Sequence, residues 1–468
     1  MSFRSAIPWL FSKLRDRSPL MINRLLIANR GEIVARIIRT CKEMGVYTVA
    51  VYSEADKDAP YLEQADDAVL IGPANPMQSY LNIEALIQAA QQTSVDAIHP
   101  GYGFLSERGA FAEAVENAGI IWVGPSSRVL KAISSKCYCR HIADGVRVPV
   151  IPGTLDPVSD GEAVAAYGRE HGWPIFLKLD KGGGGKGIEI VNNESEAEEV
   201  LQRASRIGQM AFGSGDCYIE QVVEHPRHIE VQFLADKHGN CVCLGERECS
   251  VQRRHQKIIE EAPSVVVTDE DRQRLFERAR SIVLNLGYEG AGTIENLRSA
   301  DGEYYFMEIN ARLQVEHPVT EYLTGVDIVK WQLLIAAGKQ INFSQADVQM
   351  NGHAIEARVY AEDPETFVPS PGTITNLRFP QTDSHLRIDH ALKENGSVPP
   401  FYDPLLAKVI AWGSERAEAC NRLIESLADF KIEGIKTTIP VNLAILERPE
   451  YLAGQIDTGF IDNILRSK

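Results

Sequence analysis

Two segments with strand-like alternation, Thr293 to Arg298 and Glu303 to Asn310, each carry a glutamate and are joined by Ser299-Ala300-Asp301-Gly302. A two-residue Asp301-Gly302 turn pairs Ala300 with Glu303. Counting back places Glu295 opposite Glu308 and Thr293 opposite Asn310. Period-two alternation then sets Glu295, Glu308 and Asn310 on one face. Like charges directly opposite destabilise a sheet unless something neutralises them, and a divalent cation that also holds phosphate oxygens does so. The plain alternative is a solvated glutamate face, and a longer turn would change the register.

Directly after this hairpin comes Asn310-Ala311-Arg312-Leu313-Gln314-Val315-Glu316-His317-Pro318. In an extended segment Arg312, Gln314 and Glu316 project to one side: a cationic fork for an oxyanion, a neutral amide and a base. Four glycines, Gly182 to Gly185, lie between strand signals and are flanked by Lys178, Lys181 and Lys186. Such a run contributes no packing, and its use is close approach of backbone N–H groups to phosphate. It lacks the Gly-Lys-Ser/Thr of a Walker A loop and the following helix of a dinucleotide fingerprint. The run Arg253-Arg254-His255-Gln256-Lys257 is followed at once by Glu260 and Glu261, which suits a local anion site better than a nucleic-acid surface.

The elements that must position these groups follow from periodicity. After Arg24, strands at Leu25–Ala28, Tyr47–Tyr52, Ala68–Ile71, Asp96–His99 and Ile120–Val123 alternate with helical patterns at Gly31–Glu43, Asn82–Gln92 and Glu107–Asn117. That alternation means a parallel sheet covered by helices. A helical connector over Ser126–Gly145 leads to a second unit. There strands at Pro174–Asp180, Ile188–Val191 and Tyr218–Val222 surround a helix at Glu194–Gln209. From His225 long strands dominate, beginning with a hairpin of Ile229–Ala235 and Asn240–Val251. The expected division is an extension 1–20, an α/β domain 21–125, a connector 126–147, a lid 148–223 and a C-terminal domain 224–468.

Composition sets outer limits. The 468 residues imply several domains. A net charge of −16 argues against a broad nucleic-acid-binding face. No apolar run reaches the roughly 18 residues of a bilayer span. Eight cysteines without a signal peptide or zinc spacing read as reduced, buried thiols of a cytoplasmic protein. The first twenty residues carry Arg4, Lys13, Arg15 and Arg17 against Asp16 alone, with an apolar group at Trp9, Leu10, Phe11 and Leu14. A transit peptide, an interaction arm and a coding start at Met21 all remain open.

The combination resembles the biotin carboxylases, ATP-grasp subunits of biotin-dependent carboxylases, and is most similar to those of acetyl-CoA carboxylase. The resemblance covers nearly everything from Met21 onward. It includes Ile27-Ala28-Asn29-Arg30-Gly31-Glu32-Ile33, the nine residues from His99-Pro100-Gly101 to Glu107 and the four-glycine loop. Pro226-Arg227-His228-Ile229-Glu230, Gln252 to Lys257, Glu308 to Pro318 and Pro369-Ser370-Pro371-Gly372 continue it. It implies a three-part fold: a parallel α/β domain, a mobile ATP-grasp lid and a C-terminal mixed-sheet domain.

By this resemblance Lys136, Lys178, Gly183, Gly184, Gly185, Glu220, His228, Gln252 and His255 contact ATP. Glu295, Glu308 and Asn310 hold Mg²⁺ or Mn²⁺, and Arg312, Gln314 and Val315 bind bicarbonate. Glu316 is the base that deprotonates bicarbonate for attack on the γ-phosphate, Lys257 adds charge at the phosphate, and Arg358 stabilises the biotin enolate. The implied product is carboxyphosphate, which breaks to CO2 and phosphate before biotin is carboxylated. The implied partners are a biotin carboxyl carrier protein and a carboxyltransferase, as in fatty acid biosynthesis, with a homodimer through positions such as Arg39 and Glu43. None of the seven methionines precedes a lysine, so biotin is expected on a separate chain. Four departures stand out: Asp180-Lys181 for the usual Ser-Gly, Ser134-Ser135 for Gly-Asp, Asn296 for an aromatic residue, and the extra head. The competing readings are an ATP-grasp ligase with another acceptor and a catalytically silent, nucleotide-binding structural partner.

Overall fold

The computed structural model describes residues 22–182, 187–254 and 256–466. The strand–helix alternation after Arg24 forms a five-stranded parallel sheet of β1 (Arg24–Ile27), β2 (Tyr47–Ser53), β3 (Asp67–Gly72), β4 (Ala97–His99) and β5 (Ile121–Trp122). Its order is β3-β2-β1-β4-β5. Leu25, Leu26 and Ile27 of the central strand are all fully buried, as a sheet covered on both faces requires. Helix α1 (Glu32–Met44) buries Ile33, Val34, Ile37, Ile38 and Cys41, the apolar stripe legible in the sequence, and ends on Gly45 in the left-handed conformation. Helices α2 (Ile83–Gln92) and α3 (Gly109–Asn117) complete this unit, and α4 (Ser127–Ile133) and α5 (Lys136–Gly145) form the connector.

Next come helix α6 (Gly161–His171) and a small antiparallel sheet of β6 (Ile175–Leu179), β7 (Ile188–Val191) and β8 (Cys217–Gln221). Helix α7 (Ala197–Phe212) packs with them. Val164, Ile175, Leu177, Val191, Val200 and Ile219 give this unit a core of its own. Helix α6 escaped the sequence pattern because the face it buries is Gly161, Val164, Ala165 and Gly168, too weakly apolar to stand out.

The third unit is built on eight antiparallel strands. They are β9 (Arg227–Ala235), β10 (Cys241–Arg253), β11 (Gln256–Ala262), β12 (Gly290–Arg298), β13 (Tyr304–Asn310), β14 (His353–Tyr360), β15 (Leu386–His390) and β16 (Leu405–Gly413). Their order is β13-β12-β9-β10-β11-β14-β16-β15. Helix α8 (Asp269–Leu286) packs against β10 and β9, while α9 (His317–Thr324) follows the Arg312 loop and α10 (Ile328–Ala336) packs against β12. All eight cysteines are free and buried. Among the described residues no helix is long and apolar enough to cross a membrane.

Glu295 does stand opposite Glu308, and Thr293 opposite Asn310. The turn is not the expected one. Arg298 pairs with Tyr304, and Ser299 N donates to Glu303 O at 2.9 Å, which leaves a three-residue loop Ala300-Asp301-Gly302. Gly302 supplies the left-handed position such a loop needs, at φ 93°. The longer loop slips the register by one, and a bulge that leaves Met307 unpaired slips it back between Asn296 and Glu295. Asn296 sits at that bulge and donates to the carbonyls of Ile294 at 3.2 Å and Ile229 at 3.4 Å.

Candidate functional site

The site is a cluster of acids organised around one lysine. Register places Glu230 of β9 beside Glu295 of β12, and Lys257 reaches them from β11. Its Nζ lies 2.7 Å from Glu230, 3.1 Å from Glu295 and 2.6 Å from Glu316. Glu316 is fully buried at the N-cap of α9. Burial pushes the Glu316 carboxyl up, but Lys257, Arg358 and Arg247 outweigh it and hold the group well below the usual carboxylate range. Glu295 is likewise depressed, because Lys257 and His228 overcome its burial. Burial pulls the Lys257 ammonium down, and the surrounding Cys249, Glu230, Glu295 and Glu316 raise it well above its ordinary value. At neutral pH both acids and the lysine are therefore charged.

Arg358, projecting from β14, closes the far side of Glu316. Its Nη2 lies 2.9 Å from Glu316 and 2.5 Å from Glu260. Burial raises Glu260 to about 7 despite this arginine. Glu356 lies opposite Glu260 across the β11–β14 pair, fully buried, and burial raises it well above its ordinary value.

Arg312, Gln314 and Glu316 do converge, but the segment is an irregular loop turning into α9 rather than an extended strand. Arg312 Nη1 donates to Gln314 Oε1 at 2.6 Å and Nη2 to Asn310 Oδ1 at 3.1 Å. Gln314 Nε2 in turn reaches Thr293 at 2.9 Å and Glu295 at 3.2 Å. Glu107 fixes the loop's start, accepting from Ala311 N at 3.1 Å and Arg312 Nε at 3.2 Å. His317 Nδ1, 2.8 Å from Gln314 O, holds its other end.

On the lid side, Lys178 of β6 contacts Glu220 of β8, whose second oxygen accepts from Arg140 Nη1 at 2.8 Å. Lys136, at the first turn of α5, contacts Glu308. His228 Nε2 lies 3.0 Å from Glu295 at ion-pair range, with Gln252 Nε2 3.5 Å from its other ring nitrogen. Two departures from the family pattern prove to be one. Asp180 Oδ1 accepts from Ser135 Oγ and from Cys137 N, both at 2.8 Å, and Asp180 O accepts from Lys136 N at 3.0 Å. The acid that follows β6 and the hydroxyl at the α5 cap therefore bind one another, which ties the lid to the connector. Lys181 lies exposed.

Two opposed carboxylates and an amide oxygen are hard donors of the kind Mg²⁺ or Mn²⁺ takes alongside phosphate. Glu308 is the more accessible of the two acids, with 28% of its side chain exposed against 5% for Glu295. His228, Glu230 and Glu295 form a tighter acidic cluster, but Lys257 and Arg247 already neutralise it. The basic run divides: Lys257 enters the cluster, Arg253 pairs with Glu362 and stacks on Phe367, and Arg254 is exposed. Gly183, Gly184, Gly185 and His255 lie outside the described residues, as does the stretch 1–20. Arg39, expected at a dimer contact, reaches Asp389 of its own chain at 3.1 Å.

Sequence reasoning gave no role to Glu107, Glu230, Arg247, Glu260 or Lys408. Only Glu230 left a usable signal: it follows His228 by two on one strand and so shares its face.

A nucleotide gripped between two antiparallel sheets defines the ATP-grasp ligases, and this chain has both sheets, with Lys178 on the small one and Glu295 and Glu308 on the large one. The comparisons agree. The biotin carboxylase N-terminal domain family matches residues 21–130, the carbamoyl-phosphate synthase L chain ATP-binding domain family 135–344, and the biotin carboxylase C-terminal domain family 356–463. Biotin carboxylase 2 of Bacillus subtilis is 48% identical over 94% of this chain and 99% of its own length. The biotin carboxylase of Halalkalibacterium halodurans is 46% identical over 96% and 99%. A crystal structure of the biotin carboxylase–β-γ-ATP complex from Campylobacter jejuni superposes with a TM-score of 0.93 at 42% identity, covering 95% of this chain and all of that one. The chain belongs to the biotin carboxylase family, ATP-dependent ligases that carboxylate biotin.

Proposed function

We propose that this chain uses ATP and bicarbonate to carboxylate biotin carried by a separate protein, with the residues in the roles that the family resemblance implies. Glu316 removes the bicarbonate proton, Arg312 and Gln314 with the backbone at Val315 hold the anion, and Lys257 faces the transferring phosphate. Lys136, Lys178, His228 and Gln252 take the nucleotide, and the lid 148–223, which has its own core, closes over it. Mg²⁺ or Mn²⁺ on Glu295, Glu308 and Asn310 would neutralise charge on the phosphates. Arg358 would hold the ureido oxygen of biotin. The single observation that carries this reading is the contact of Glu316 with both Lys257 and Arg358, 2.6 and 2.9 Å away. It joins the phosphate side and the biotin side at one base.

The ligand-free pairing also has a chemical logic. A carboxylate held below its usual range is a weak base, and two of the three cations that depress Glu316, Lys257 and Arg358, are those assigned to the substrates. As Lys257 and Arg358 turn to phosphate and biotin, Glu316 loses their stabilisation and becomes more basic at the moment of use. Phosphate release that depends on biotin and bicarbonate tests the reading, and release indifferent to biotin would point to another acceptor. In the same assay Glu308→Gln should raise the Mg²⁺ concentration needed for half-maximal rate about tenfold or more, since one of two anionic ligands is lost. An unchanged Mg²⁺ dependence would remove Glu308 from the metal site.

The carrier and carboxyltransferase are supplied by other chains in this reading. Acetyl-CoA is the favoured final acceptor, with other acyl-CoA esters or 2-oxo acids served by similar proteins. A homodimer is proposed too, because the biotin carboxylase domain of Hydrogenobacter thermophilus 2-oxoglutarate carboxylase, 42% identical over 95% of this chain and 98% of its own, with a TM-score of 0.91, is described as a dimer with MgADP and bicarbonate. Sedimentation at micromolar concentration should give twice the chain mass, and a monomer would end that proposal.

A further inference from the structure

The sequence motifs Asn29-Arg30-Gly31-Glu32 and His99 to Glu107 lie in the first unit, away from the acidic cluster, yet both lead to the loop that carries Arg312, Gln314 and Glu316. Glu107 holds the loop's beginning. At its end the connection passes through Lys408. This lysine on β16 is fully buried, and its Nζ donates to Val315 O at 2.9 Å. Glu32 Oε1 lies 3.3 Å from the same ammonium, and Asp389 Oδ2 lies 3.8 Å away. Tyr102 donates to Glu32, and Arg387 and Arg39 hold Asp389. Lys408 is also the register partner of Arg358 on β14.

We propose that Lys408 is a positioning residue for the bicarbonate side of the site, fixing the Val315–Glu316 peptide so that Glu316 meets the bicarbonate held by Arg312 and Gln314. Val315 O belongs to the peptide whose nitrogen is that of Glu316. A carbonyl held by a buried ammonium cannot rotate without breaking a charge-assisted bond. Its neighbour Gln314 O is tied to His317 Nδ1, so two successive carbonyls before the base are locked. A lysine is a costly way merely to fill this space. Desolvating one ammonium and two carboxylates is costly, and apolar residues of similar volume often pack at least as stably. Its aim at one particular carbonyl favours a positioning role.

The inference rests on the reading of Glu316 as the bicarbonate base, and the test separates the two. Bicarbonate-dependent ATP turnover is measured in CO2-depleted buffer for the full-length wild-type chain, Lys408→Met and Glu32→Gln. For Lys408→Met the expected result is a kcat lower by about ten- to a hundredfold, the scale of a misplacement near 1 Å. Its KM for bicarbonate rises about tenfold or more on the same grounds, and its KM for ATP is unchanged. Glu32→Gln, which keeps the ammonium but removes the carboxylate that aims it, should show the same split to a smaller degree, and decides the matter if Lys408→Met does not fold. A folded variant with unchanged bicarbonate KM, or with ATP and bicarbonate KM altered together, overturns the proposal. A wild-type chain that turns ATP over without needing bicarbonate overturns the Glu316 reading instead.

Discussion

Glu316→Gln is expected to lower biotin-dependent ATP turnover about a hundred- to ten-thousandfold, the usual cost of removing a general base, while ATP still binds. Lys257 and Arg358 donate to different oxygens of Glu316; glutamine keeps the shape but can accept from only one of them, has no charge and takes no proton. The nucleotide contacts proposed above lie elsewhere, on Lys136, Lys178 and the sheet around His228. Equilibrium ATP binding and single-turnover phosphate release distinguish the two steps, and a wild-type rate in this variant would place the base at another residue. The variant should also differ from wild type in acid stability. The Glu316 carboxyl is depressed in the folded chain, so its contribution is present above the unfolded value of about 4.3 and is lost as pH falls through the lower folded value. Glu316→Gln lacks that contribution, so its stability should fall less steeply with acid.

Lys257→Met should damage both activity and folding. It leaves Glu230, Glu295 and Glu316 buried without the ammonium they share. Removing one member of a buried ion cluster typically costs about 3–5 kcal/mol, because the remaining charges are uncompensated. The pH dependence should change as well. In the wild-type chain Lys257 is raised above its unfolded value, so its contribution is complete below about pH 10 and is lost only above the folded value. Without Lys257 only Arg358 and Arg247 oppose burial at Glu316 and only His228 at Glu295, so both acids titrate higher than in the wild-type chain. The variant's folded state then binds more protons than the wild-type one, and its deficit grows as pH rises through the raised values. Thermal unfolding from pH 5 to 9 checks this: the deficit should narrow toward pH 5, and a uniform deficit would mean the acids find other partners.

The strand and helix periodicities of the first unit, and the opposition of Glu295 to Glu308, were legible in the sequence, though the latter came through two compensating differences. A loop one residue longer than expected and a bulge at Met307 cancel, so the counted register is correct while the assumed turn is not. The Arg312 segment was read as extended because alternation of polar and apolar residues looks the same in a strand and in a loop entering a helix. Nothing within the segment reports that Glu107 holds its start.

By itself the sequence determined which groups could do chemistry, since residue type and local spacing depend only on neighbours in the chain. It likewise fixed the alternating α/β start and the family. Only the tertiary structure decided that Lys257, rather than an open face of glutamates, balances Glu230, Glu295 and Glu316. It alone showed that Asp180 and Ser135 bind one another, and that a lysine on β16 donates to the carbonyl of Val315. The reason is electrostatic. A charge is stabilised by whatever lies within a few ångströms once water is excluded, and here those neighbours come from residues dozens to hundreds of positions away. Local pattern carries no record of such distances.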